Sequence, residues 1–65
     1  MFVRLVDEDG IEQFINTDNI LHIAVIPLFT SPHPRSKIYF VDGSFIIVPM
    51  APIDIFDKCG IMVKV

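Results

Sequence analysis

The sequence has a single cysteine, two histidines, three glycines and five basic residues, and each scarcity excludes something. With Cys59 alone, no intrachain disulfide can form, and a lone thiol suits a reducing compartment. Free cysteine is usually buried, so Cys59 is expected as a small core residue. The basic side chains Arg4, Arg35, Lys37, Lys58 and Lys64 form no dense run, and the net charge is −3. Nucleic-acid affinity depends on clustered positive charge, so this balance argues against DNA or RNA binding, unless two subunits juxtapose small patches. No apolar run approaches the ~20 residues that span a bilayer. No basic segment followed by a long apolar stretch marks a secretory signal. A cytoplasmic location without membrane association is the expectation.

What is abundant is apolar surface. Hydrophobic residues make up 52% of the chain and mean hydropathy is +0.60, against about 45–50% apolar in average domains. A 65-residue chain forms one small domain. Such a domain buries only ~60% of the surface its unfolded chain exposes. Scaffolds of this size usually need disulfides, a metal or oligomerisation. Without disulfides, the surplus apolar surface points to an interface. A homo-oligomer is expected, with a dimer favoured.

The punctuation of the chain reads as strands and turns. Residues 1–6 form an apolar strand with only Arg4 polar before Asp7, as in a strand buried on both faces or packed at an interface. Asp9-Gly10 is a hairpin signal, read as a type I′ turn with positive φ at both residues. Residues 11–17 continue with Ile11, Gln13 and Ile15 on one face and Glu12, Phe14 and Asn16 on the other. Asn16-Thr17-Asp18-Asn19 is a second turn, and residues 20–26 form a third strand ended by Pro27. LFTSPHPRS, residues 28–36, is the one real loop, its two prolines excluding helix. Residues 37–41, the turn Asp42-Gly43 and residues 44–48 give a second hairpin, closed by Pro49. The two Asp-Gly turns are best read as two hairpins of one common type. Pro52 suits a first helical position, Asp54 a first turn and Gly60 the position past the end. A helix is therefore expected over residues 52–59, with Ile53, Phe56 and Asp57 along one partial stripe. Residues 61–65 read as a sixth strand.

Chemistry is sparse. Asp7, Glu8, Asp9 and Glu12 lack the spacing of a calcium loop, and strand alternation splits the first three between two faces. A solvated acidic turn is the better reading. His22 and His33 have no partner at metal-ligand spacing, so neither a metal nor a cofactor is expected. His22 is read as a strand residue at a sheet edge or interface. Nothing places Cys59 beside a base or an orienting acid, and a helix C-terminus disfavours a thiolate. No catalytic residues are assigned. The loop around Ser31, His33, Arg35 and Lys37 sets polar and basic groups on a stiff backbone. With His22, these are the candidate partner-binding residues.

The order of strand, glycine turn, strand, N-T-D-N-I-L-H-I, strand, D-G, strand and short helix resembles two bacterial families. It resembles the short FlbD-like proteins of flagellar operons through Gly10, Phe14, Ile15, Asn16, Asp18, Ile20, Ile23, Gly43, Ile47 and Val48. It is more distantly similar to LytTR-type DNA-binding domains through Asp18 or Asn19, Ile20, Ile23, Asp42 and Gly43. The likeness spans about residues 3–58. The TSPHPRS loop has no equivalent in the flagellar pattern, and the basic residues a LytTR-like domain brings to DNA are missing. The resemblance implies a small regulatory or accessory role.

The expected fold is therefore mainly β: an antiparallel meander or curled barrel of five to six strands, with one short C-terminal helix covering an open end. The expected function is a non-enzymatic module that binds itself and an unidentified protein partner. The strands at 20–26 and 61–65 are the candidate edges. The alternative is a small nucleic-acid-binding transcriptional regulator using Arg35, Lys37 and Arg4 or Lys64.

Overall fold

The computed structural model describes residues 1–27 and 33–60. Among them the chain forms β1 (Phe2–Val6), β2 (Glu12–Asn16), a 3₁₀ turn (Thr17–Asn19), β3 (Ile20–Ile26), β4 (Arg35–Phe40), β5 (Phe45–Val48) and α1 (Pro52–Cys59). The protein is mainly β, with all strand pairs antiparallel. β1 and β2 make a two-stranded sheet, and β3, β4 and β5 make a three-stranded meander. The two sheets do not close into a barrel among the described residues. The sixth strand expected at 61–65 lies outside those residues, as do positions 28–32 of the expected loop.

Both hairpins turn in the same way, and neither uses a type I′ turn. The Gly10 N–H donates to the Asp7 carbonyl, and the Asp7 N–H to the Ile11 carbonyl. Gly43 and Phe40 repeat the pattern with Phe40 and Ser44. Gly10 and Gly43 have φ of 81° and 92°, and among the described residues no non-glycine residue has positive φ. Asp9 and Asp42 therefore stay in ordinary backbone. Each loop has three residues and ends in a left-handed glycine, an arrangement that spares the aspartate the strained conformation a type I′ turn demands.

β1 is buried on one face, not on both. Val3 and Leu5 turn inward opposite Ile15 and Gln13, while Phe2 and Val6 are exposed. β4 begins at Arg35, two residues earlier than the loop reading placed it, because Arg35 and Ser36 pair with Ile26 and Val25. Ser36 is fully buried.

Leu5 and Ile15 from the hairpin, Ile38 and Val48 from the meander, and Ile55 and Cys59 from α1 form one core. The helix has the expected bounds: Pro52 opens it and Gly60, at φ 68°, ends it in the left-handed conformation. Its buried face differs from the stripe expected, since Ile55 and Cys59 point inward and Ile53 is exposed. A backbone bond ties the two sheets together: the Glu8 N–H donates to the Ile47 carbonyl at 3.0 Å. The Val41 N–H donates to the Asn19 carbonyl at 2.9 Å and extends the β3–β4 pairing. No helix among the described residues is long and apolar enough to cross a membrane.

Candidate interaction surfaces

Antiparallel register sorts the side chains into two outward faces. On the meander, His22 pairs with Tyr39 and Tyr39 with Phe45, so one row crosses all three strands. The His22 and Tyr39 rings stack with centroids 4.3 Å apart, and Tyr39 and Phe45 lie at 6.0 Å. Lys37 occupies the next row, opposite Ala24 and Ile47. Its ammonium sits 3.9 Å from the Phe45 centroid and 5.0 Å from that of Tyr39. A cation over a ring face is held by the ring quadrupole. Arg35, on the same face, pairs with Glu8 in the first hairpin loop.

Three of the candidate partner-binding residues, His22, Arg35 and Lys37, thus gather on one sheet face. His33 is exposed at a bend before β4, and Ser31 lies outside the described residues. Tyr39 and Phe45 complete the row, and sequence reasoning missed them. The signal was present: once Asp42-Gly43 is a hairpin turn, alternation puts Lys37, Tyr39, Phe45 and Ile47 on one side.

The other outward face belongs to the first hairpin. Phe2, Arg4 and Val6 from β1 stand opposite Asn16, Phe14 and Glu12 from β2. Phe2 and Phe14, diagonal neighbours on this face, are 69% and 67% exposed, which is unusual for two large apolar side chains on one small face. Arg4, opposite Phe14, reaches diagonally away from Phe2 to Glu12, with Nε at 2.9 Å and Nη2 at 2.5 Å from Oε1.

The acidic stretch that precedes β2 is engaged in folding. Asp7 Oδ1 accepts the Asp9 and Ile11 backbone N–H groups, each at 3.0 Å, and Oδ2 accepts from Gln13 Nε2 at 3.0 Å. These bonds, with Gln13 foremost, hold the Asp7 carboxyl below the usual carboxylate range. Glu8 and Glu12 are in ion pairs. Asp42 repeats the role of Asp7 in the second hairpin: its Oδ1 accepts the Ser44 hydroxyl at 2.6 Å and the Ser44 backbone N–H at 2.8 Å, which lowers its pKa as well. Among the described residues, no three His, Cys, Asp or Glu side chains are placed to hold a metal ion.

Cys59 is 3% exposed, and its burial pushes the thiol pKa up, away from the nucleophilic thiolate. A depression of about 240 Å³ is flanked by Asp7, Glu8 and Phe45, and the Asp7 and Glu8 carboxylates at its rim carry the bonds just described. Comparison with family models, curated proteins and solved structures finds no match to this chain.

Proposed function

We propose that the chain is a non-enzymatic interaction module that self-associates and, as an assembled unit, engages a protein partner in an accessory or regulatory role. The observation that carries this reading is the open pair Phe2 and Phe14, with exposed Val6 on the same face of a hairpin whose other side is already committed to the core. Exposed apolar surface of this kind is costly in water and is retained where it binds something. The engaged state of the cations favours this reading over a nucleic-acid-binding regulator. Arg4 and Arg35 pair with Glu12 and Glu8, and Lys37 lies over Phe45. Phosphate contacts would have to displace those partners.

The test is the mass of the full chain across a concentration series, by sedimentation velocity and light scattering. A dimer forming over the micromolar range is expected. The monomer mass at every concentration up to about 1 mM, where free-energy gains fall to roughly 4 kcal/mol, would overturn the proposal.

A further inference from the structure

Three surfaces compete for the self-association proposed above, and the inference drawn here rests on that reading. The outer strand β3 presents Leu21 and Val25, but Leu21 falls at the register shift between Ile20 and His22, which interrupts the strand, and Val25 shares the face of Ile23 and Ser36. The aromatic row His22, Tyr39 and Phe45 already has a lid, because Lys37 covers Phe45 and the His22 and Tyr39 rings cover each other. The outer face of β1–β2 has neither defect. Its aromatic rings lie open and its charges are balanced, one arginine against one glutamate.

We infer that this face binds a second copy of the same chain, sheet against sheet, about a two-fold axis running along the strands. The register dictates that axis. An in-plane two-fold across the strands, centred on the Arg4–Phe14 pair, would set Arg4 against the partner's Arg4. A two-fold along the strands instead lays β1 of each copy over β2 of the other. Since Phe14 stands directly opposite Arg4 and Glu12 opposite Val6, each Arg4 then faces the partner's Phe14 ring and lies beside the partner's Glu12. The guanidinium gains a ring face and a second carboxylate, two contacts that suit its planar fork. Val6 meets the aliphatic part of the partner's Glu12, and Phe2 lies over the partner's Asn16. The surface is self-complementary, as a closed two-fold interface requires, and the aligned strands match ordinary sheet-on-sheet packing. A face on two five-residue strands is small, so the dimer is weak and exchanges readily.

Charge reversal tests the cross-copy pairing. Arg4→Glu makes the face wholly acidic and Glu12→Arg makes it wholly basic. Each variant alone is expected to associate more weakly by about tenfold or more, because like charges then meet across the interface. An equimolar mixture is expected to recover a heterodimer of wild-type strength in sedimentation. The like-charge neighbours within each copy persist in the mixture, so recovery reports only contacts between copies. Circular dichroism and thermal melting check that both variants fold.

Phe14→Ser, which keeps both charges, is a second probe and is expected to abolish the dimer. A wild-type dimer that survives Arg4→Glu, Glu12→Arg and Phe14→Ser overturns this inference and leaves self-association standing through another surface. Variants that stay monomeric when mixed also overturn it. A wild-type chain that never dimerises overturns the proposed self-association itself. If either charge variant fails to fold, Phe14→Ser decides: a retained dimer overturns the inference and a lost one supports it.

Discussion

The Ser36 hydroxyl donates to the Met50 carbonyl oxygen at 2.7 Å from a side chain with no solvent exposure. This bond ties β4 to the connection between β5 and α1. It is also how the small core tolerates a polar group, and among the described residues no buried side-chain nitrogen or oxygen lacks a partner. Ser36→Ala removes the donor and leaves the Met50 carbonyl without it. A loss of about 1–2 kcal/mol is expected, read as a melting temperature lower by roughly 5–10 °C in a domain this small. An unchanged melting temperature would show that water replaces the hydroxyl.

The left-handed glycines give a second prediction. An added Cβ at Gly10 meets nothing within 4 Å, so only backbone strain opposes substitution. At φ 81° a β-branched residue is strained and asparagine much less so. Gly10→Val is expected to destabilise by about 1–3 kcal/mol and Gly10→Asn by clearly less. Equal effects in denaturant titrations would place the cost elsewhere.

Asp7 makes stability depend on pH. Its folded pKa is depressed below the unfolded value, by Gln13 first and then by the Ile11 N–H. The native state therefore holds fewer protons than the unfolded chain in the acid range. The resulting stabilisation is complete above the ordinary carboxylate pKa of ~3.9 and is lost as pH falls through that value toward the lower folded one. Asp42, lowered by Ser44, adds in the same direction. Thermal melts from pH 6 to pH 2 are expected to fall less steeply for Asp7→Asn than for the wild type. Parallel curves would remove Asp7 from the account.

Cys59 supplies a structural clock. With 3% exposure and a raised pKa, the thiol is expected to react with an aromatic disulfide reagent at neutral pH only when α1 leaves the core. Labelling is expected to be slow in buffer and fast in denaturant. Rapid labelling of the folded chain would mean that α1 detaches readily.

Local chemistry made much of the fold legible. Gly10, Gly43 and Gly60 mark the left-handed positions, Pro27 and Pro49 follow the strand ends, and Pro52 opens the helix at its observed start. These residues constrain their own backbone, so their effect survives in the bare sequence. The hairpin loop type was misread because Asp-Gly serves two loops, and only one needs positive φ at the aspartate. Which side of α1 turns inward was illegible for a different reason. An eight-residue helix with Ile53, Ile55, Phe56 and Cys59 offers apolar groups on several sides, and contact with Leu5, Ile38 and Val48 picks among them.

The candidate surfaces divide in the same way. Sequence alone determined that apolar content exceeds what so short a chain can bury, because surface-to-volume scaling depends on length and composition. It also determined that the acidic loop serves as a turn. Only the tertiary structure decided where the excess lies. The apolar run FVRLV does not alternate, so its inward side was set by pairing with β2, which buries Leu5 and leaves Phe2 diagonal to Phe14. Arg35 and Glu8 are separated by 27 positions, and no local pattern announces their meeting. Long-range contacts of this kind arise when separate sheets dock on one core, and that step fixed which cations are engaged and which aromatic rings stay open.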